Sequence, residues 1–351
     1  MPSNPSMSAA IVGAAESDKI GYIEAGTTNA LLGIEAISNV CLQVGIKPSE
    51  IEGLYSTGYT TQYAEYLGIK PKVIDTTSVG GTSYQFQAAH ALRDIAAGKV
   101  KVAVLSYGSS AASQRIPIGT GGPRSAGNWQ ANMENAYGQT LISNYAMVAM
   151  RHMHEYGTTS EQLAEIAVTT RAHAMRNPEA VQAMQDLQFM NIRDITVPDV
   201  MESRIIADPL HLLECCMVSD GGGAVVIASA EVARHTRKKP VWIIGTGEAT
   251  RYSENGSDLT VSAAAQSGPI AFGEAGITPA EIDIAMIYDS FSITVLTILE
   301  DLGFCKKGEG GADEHLWSLP GLSLPETIAG RCRTKKEPPE PGPRRRVKNR
   351  E

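Results

Sequence analysis

Apolar positions along this chain recur with two periods, and their alternation lays out an α/β protein. Residues 9–13 form a short apolar run that predicts a buried strand. Leu31, Leu32, Ile34, Ile37, Val40 and Leu42 follow helical spacing, which predicts a helix over 27–44 that stops at Gly45. Strands are predicted at 53–56 and, β-branched, at 73–75. A polar, Gly-rich turn follows. Phe86, Ala89, Leu92, Ile95 and Ala96 then mark a helix over 85–97 closed by Gly98, and 101–107 is the next strand. Strand, turn, helix and strand in that order make a right-handed crossover in a parallel sheet. Helices are predicted at 140–156 and 160–176, and Asn177-Pro178-Glu179 starts another turn or helix by the cap-then-proline rule. The triple glycine 221–223 reads as a tight turn into a strand over 224–228. Strands at 241–245 and 284–288 and helices at 258–276 and 293–302 complete the pattern.

One passage occurs twice. Gly45-Ile-Lys-Pro-Ser-Glu-Ile-Glu52 leads into one predicted strand, and Gly276-Ile-Thr-Pro-Ala-Glu-Ile-Asp283 leads into another. Proline fits the first helical position, and the glutamate two residues later suits a helix start. A common turn solution met twice would explain this. A duplicated α/β domain explains it better, because an apolar helix and a short strand flank both copies. The division is a first half over 1–236, with an insertion over about 112–200, and a second half over 237–311 that is truncated at its C-terminal end. The insertion opens with a Gly/Pro/Ser-rich loop over 116–127. A basic, Pro/Arg-rich tail over 312–351 is expected to be disordered. Residues 331–351 hold nine Lys/Arg against three Glu, about +6, which leaves about −14 for the rest of a chain whose formal total is −8. Such a tail suits an anionic surface, and a shifted reading frame would also produce it.

Composition narrows the class. The chain has 351 residues, of which 43% are hydrophobic, enough for one large α/β domain or two smaller ones. Its net negative charge argues against nucleic acid as the main partner. Cys41, Cys215, Cys216, Cys305 and Cys332 are odd in number and lack metal-ligand spacing, which suggests reduced thiols and a cytoplasmic protein without a metal. The first residues lack the basic and then apolar blocks of a signal peptide, and no apolar run reaches the roughly 20 residues of a membrane span.

Candidate chemistry centres on the turn after residue 75. Ser78 is expected where this turn meets the helix, beside unpaired N–H groups and the positive end of the helix dipole. Developing negative charge is stabilised at such a spot. Met147, Met150 and Met153 lie at spacing three, which suits helix packing or a flexible acyl-binding wall. His211 and the adjacent Cys215 and Cys216 beside an apolar run read more readily as structural than as catalytic groups.

Together these segments resemble the thiolase superfamily. The nearest branch contains the thiolase domain of sterol carrier protein X and bacterial acetyl-CoA acetyltransferase-like or lipid-transfer proteins. The resemblance rests on Asp208-Pro-Leu, Cys215-Cys216 and Ser219-Asp220-Gly before a small-residue strand, on Tyr288-Asp-Ser-Phe before a helix ending in Leu-Gly-Phe-Cys305, and on the unit around Ser78 with Gly81 three residues on. It covers about residues 9–311. It implies a duplicated five-layer α-β-α-β-α fold with a helical loop domain, a homodimer, and coenzyme A thioesters as substrate or ligand with no bound cofactor. It also implies catalytic positions at Ser78 and Tyr288, an oxyanion or turn role for Gly81 and Asp289, and substrate contacts from Met147, Ser290 and Phe291.

The chain departs from that pattern. Ser78 stands where thiolases carry the nucleophilic cysteine, and Tyr288 where relatives carry His or Asn. The family's Gly-His-Pro histidine and second cysteine are expected after residue 311, but His315 lies between Glu314 and Leu316, and Cys332 lies in Cys-Arg-Thr. A serine needs a neighbouring base where a cysteine does not. Two functions follow. One is an acyltransferase or carbon–carbon bond enzyme of lipid, fatty-acid or steroid metabolism. It resembles superfamily aldolases that cleave a β-hydroxyacyl-CoA beside a small zinc-ribbon/OB-fold partner. Tyr288 would then act as acid or base, and N–H groups near Ser78 and Gly81 would hold the enolate oxygen. The other is a non-catalytic acyl-CoA or lipid-binding subunit, or an inactive truncated homologue, with Tyr288 a strand-end tyrosine bonded to a loop.

Overall fold

The computed structural model describes residues 4–24, 26–115, 140–189, 191–251 and 258–311. The loop at 116–127 and the tail with His315 and Cys332 lie outside them.

One six-stranded sheet joins five strands of the first half to a short strand at the start of the second. Its strands are β1 (Ala9–Glu16), β2 (Gly53–Tyr55), β3 (Val73–Asp75), β4 (Val102–Ser110), the later strand Asp220–Ser229 and the short Val241–Trp242. A two-stranded hairpin, β5 (Ile205–Ala207) and β6 (Leu210–His211), stands apart, so the last two strands are β7 and β8. The sheet order is β3-β2-β4-β7-β1-β8. β2 is parallel to both β3 and β4, and β7 runs antiparallel to both β4 and β1.

Helices cover both faces. α1 (Asn29–Val44) and α2 (Thr60–Leu67) bury Ala36, Ile37, Val40 and Tyr63 against Val12, Leu54, Val104 and Val226. α3 (Ser83–Ala96) buries Ala91, Leu92 and Ile95 against Ala103, Leu105 and Ile227 on the other face. Each such aliphatic side chain contributes about 1.5–3 kcal/mol by leaving water. The capping residues behave as their chemistry demands. The Thr28 hydroxyl accepts from Leu31 N, and Gly45 closes α1 at φ 77°, a left-handed angle that suits glycine.

Three expectations change. β1 runs on to Glu16, because Ala14–Glu16 pair with the small residues Val225–Gly223 of β7. α2 follows β2 without a strong sequence signal. The triple glycine is not a turn, since Gly221–Gly223 already lie in β7. A Cβ at Gly222 would sit 2.2 Å from the Leu32 carbonyl oxygen, so glycine there lets α1 approach the sheet.

The described part of the insertion after residue 139 holds four helices: α4 (Leu141–Tyr156), α5 (Ser160–Met175), α6 (Pro178–Asp186) and α7 (Val197–Met201). After β7 come α8 (Ala230–Ala233), β8, α9 (Ala264–Ala275) and α10 (Ser292–Asp301). α10 buries Ile293, Leu296 and Leu299 against Ala146, Ala149, Leu163 and Ile166 of α4 and α5.

The repeated passages share their geometry. Each helix ends at a left-handed glycine, Gly45 (φ 77°) or Gly276 (φ 70°), and a 3₁₀ turn follows, Pro48–Glu50 or Pro279–Glu281. In each, the glutamate accepts from a backbone N–H three residues earlier, Lys47 N to Glu50 and Thr278 N to Glu281, both at 2.8 Å. The first copy then enters β2. The second does not enter a strand: residues 284–288 have no ladder partner among the described residues, and Ile284 and Met286 are 80% and 92% exposed. A strand requires a neighbour to exchange hydrogen bonds, which an apolar run cannot supply by itself.

The second half nonetheless packs in layers. Residues 245–247 lie against α9, where a Cβ at Gly245 or Gly247 would meet a helix carbonyl at 2.3 or 2.0 Å. From the other side, Arg93 of α3 donates to the Thr246 hydroxyl (2.7 Å) and reaches Glu274 (3.3 Å). The order is α1 and α2, sheet, α3, an extended layer, then α9.

Candidate active site

Three segments converge beside the N-terminal end of α3. The first is the turn between β3 and α3. The Asp75 carboxylate accepts from Thr77 N (2.7 Å) and lies 2.5 Å from His90 Nδ1. Gln87, fully buried, donates to the Thr77 carbonyl (2.9 Å). The Ser83 hydroxyl closes the turn, accepting from Val79 N (2.9 Å) and donating to the Gly80 carbonyl (2.6 Å). Ser78 is exposed and makes no hydrogen bond among the described residues. The helix begins at Ser83 with Thr82 as its cap, so Ser78 lies four residues before the cap and not at the junction itself. Three of the junction amides are engaged, with Ser83 N bonded to Gly80 and both Gln85 N and Phe86 N to Thr82. Gly81, by contrast, is a contact point. A Cβ there would fall 2.4 Å from the Tyr288 hydroxyl oxygen, so the tyrosine ring lies directly on the Gly81 backbone.

The second and third segments are 214–216 and 288–292. Cys216 N donates to the Ser290 carbonyl (3.0 Å), and Cys215 bridges Phe291 in antiparallel fashion. Tyr288 is half-exposed. Partial burial holds its phenol above the usual tyrosine value, and Cys216, Tyr145, Asp289 and Tyr107 add to the shift. Burial likewise raises the Cys216 thiol, aided by Asp289. Cys215 is pushed up to about 11 by burial and by Glu214. Both thiols are therefore protonated at neutral pH. Asp289 is exposed. Ser290 is buried with its hydroxyl 2.9 Å from that of Thr294, and Phe291 is buried with its ring 4.4 Å from Tyr145. Met147 and Met150 face outward on α4, while Met153 packs on the α10 core.

Beside this convergence lies a cavity of about 1330 Å³ lined by Ile20, Leu42, Leu105, Val225 and the paired rings of Tyr84 and Tyr107, 5.5 Å apart. Tyr288 and Ser78 are not in its wall; Tyr107 is the link between the two places. Glu16, Asp18, Glu179 and Asp186 also line the cavity, and burial and Glu179 raise the Glu16 carboxyl. Among the described residues no cluster of three or more His, Cys, Asp or Glu is arranged to hold a metal ion, and no helix is long and apolar enough to cross a membrane.

The structure thus brings Gly81 and Tyr288 together and adds Cys216, Tyr107 and Tyr145, which sequence reasoning did not place there. The adjacent cysteines carried one usable signal, because neighbours in extended chain face opposite ways and one must point out. His90 gave none. It lies between Asp75 and Glu248, 3.3 Å from the latter. Burial lowers its pKa, but the hydrogen bond to Asp75 and the charges of Glu248 and Asp75 outweigh this and leave it raised. A raised folded-state value stabilises the fold fully below the unfolded value of about 6.5, and this is lost as pH rises through the folded value. The urea midpoint of the wild type is expected to fall between about pH 6 and pH 9 by more than that of His90→Asn. Equal slopes in the two proteins would remove His90 from this role.

Comparisons with known proteins agree with this architecture. Residues 245–338 match the family model for a thiolase C-terminal domain-like region. The chain is 32% identical to an acetyl-CoA acetyltransferase of Methanothermobacter thermautotrophicus over 296 residues, covering 83% of this chain and 72% of the relative. It is 31% identical to a steroid side-chain-cleaving aldolase of Thermomonospora curvata, covering 85% of this chain and 78% of that one. The solved structure of the Ltp2-ChsH2(DUF35) aldolase superimposes with a TM-score of 0.76 at 29% identity, covering 87% of this chain and 79% of that one. The fold is the thiolase-like α/β fold. The chain belongs to the thiolase superfamily, and part of it is also similar to sterol carrier protein 2 of Gallus gallus, 29% identical over 47% of this chain and 30% of that one.

Proposed function

We propose that this protein acts on a coenzyme A thioester and cleaves or forms the carbon–carbon bond next to it by an aldol-type route, with no acyl-enzyme at Ser78. The observation that carries this reading is the Tyr288 ring lying on Gly81, beside the turn that presents Ser78. Relatives that are an acetyl-CoA acetyltransferase and a steroid side-chain-cleaving aldolase support thioester chemistry. In retro-aldol cleavage the β-hydroxyl gives its proton to solvent water, the Cα–Cβ bond breaks, Cβ leaves as a carbonyl product, and the bond's electron pair becomes a thioester enolate that takes a proton at Cα. A tyrosine held above its usual pKa is protonated at neutral pH, so Tyr288 serves as the proton donor to the enolate. Ser78, exposed and without a base in hydrogen-bond contact, is not activated. The same exposure favours a second reading, an acyl-CoA-binding subunit without turnover. The working unit in the first reading is a homodimer with a small zinc-ribbon/OB-fold partner.

Mass spectrometry after incubation with a labelled β-hydroxyacyl-CoA, with and without such a partner, tests this. Expected are free carbonyl product, shortened acyl-CoA and unmodified protein. Calorimetric binding without cleavage would favour the second reading. An acyl adduct on Ser78 would overturn the proposed route.

A further inference from the structure

Glu214 is buried with a fully covered side chain. One carboxylate oxygen accepts from the Ser292 hydroxyl at 3.0 Å. The other accepts from His211 N at 2.7 Å and lies 3.0 Å from His211 Nδ1. The Cys215 thiol reaches back to the His211 carbonyl at 3.3 Å. These contacts fall into a register. Ser290 is tied to Cys216, Phe291 to Cys215 and Ser292 to Glu214, as successive rungs of a short antiparallel pairing. The first two rungs use backbone, which nearly any residue supplies. The third depends on side-chain identity at both ends.

We propose that Glu214 is the positioning residue for Tyr288: through Ser292 it fixes the segment 288–292 against 214–216, and so holds the tyrosine on Gly81. This rests on the reading that Tyr288 gives a proton. A buried carboxylate is costly unless its lone pairs are used. An apolar residue of similar size would fill the space without that cost, but it would release both Ser292 and His211. Phe291 and its contact with Tyr145 anchor the segment's core side, which leaves the Ser292–Glu214 rung to set its lateral placement. Tyr288 itself is half-exposed and lies two residues before the Ser290–Cys216 rung, so its placement follows the register of this pairing, in which Ser292–Glu214 is the side-chain tie.

The test uses the full chain with Glu214→Gln, Ser292→Ala and the double variant. Turnover of a β-hydroxyacyl-CoA gives kcat and KM. Ultraviolet difference titration, with Tyr288→Phe as the blank, isolates the ionisation of Tyr288. The expected result is a fall in kcat of about tenfold or more with KM changed by less than about twofold in each single variant, and no further loss in the double. The Tyr288 titration shifts downward in both single variants. Normal kcat and an unshifted titration in a variant that melts like wild type would overturn the proposal. If Tyr288→Phe is itself fully active, the proposed chemistry fails, while the titration still decides whether Glu214 places the ring. Should Glu214→Gln fail to fold, Ser292→Ala, which removes one hydroxyl, carries both readouts.

Discussion

Tyr288→Phe is expected to lower turnover of a β-hydroxyacyl-CoA by roughly 10²–10⁴-fold, the usual contribution of a positioned acid or base. The substitution removes one oxygen and leaves the ring, so the contact with Gly81 and the packing of the segment survive. Coenzyme A thioester affinity should therefore hold, and the loss should fall on kcat. The pH dependence has a definite sign. A proton donor works while protonated, and burial holds the Tyr288 phenol above the ordinary value of about 10. Wild-type turnover should show no alkaline fall below that value on account of Tyr288. Stopped assays across that range check this. Undiminished kcat in the phenylalanine variant would remove Tyr288 from the chemistry.

Glu300→Ala is expected to destabilise the fold by about 3–5 kcal/mol, the cost of breaking a buried pair and stranding its partners. The Glu300 side chain is completely covered. It accepts from His152 Nε2 (2.9 Å), Gly308 N (3.0 Å) and Gly310 N (3.2 Å), and Lys307 Nζ lies 3.2 Å away. His152, also fully buried, has its other ring nitrogen 2.8 Å from the Thr158 hydroxyl. One carboxylate thus joins α4, α10 and the chain after α10. Burial alone would raise its pKa, but the hydrogen bond and charge of His152, with Lys307 and the Gly310 amide, hold it low. A lowered folded value means this stability is present above the unfolded value of about 4.3 and lost as pH falls through the folded value. Urea unfolding at neutral pH measures the change; the midpoint should drop with the slope unchanged. A loss below about 1 kcal/mol would show that water replaces the carboxylate at little cost.

Much of the first half could be read from periodicity. Leu32, Ile37 and Val40 face the sheet as their spacing requires, and Ala89, Leu92 and Ile95 do the same from the other face. The repeated passage was legible because proline, glutamate and left-handed glycine are local devices that act within a few residues. Other expectations failed where a distant neighbour decides. Residues 284–288 form an apolar run of strand length but have no ladder partner among the described residues, and the glycines at 221–223 answer to the approach of α1 and not to a turn. Ser78 falls short of the junction for a local reason, because the Ser83 hydroxyl closes the turn four residues after Val79 and the chain caps at Thr82.

By itself the sequence determined the α/β class, the family, and Gly81 and Tyr288 as residues of interest, since these rest on short-range spacing and on motifs. Only the tertiary structure decided that Tyr288 lies on Gly81, that Cys216 stands beside it, that Glu214 faces Ser292 and that His90 sits between Asp75 and Glu248. Most of those partners are far apart along the chain. Periodicity records which side of an element is buried, but not which other element buries it. That choice is made when helices and strands pack together and close the long loops between them.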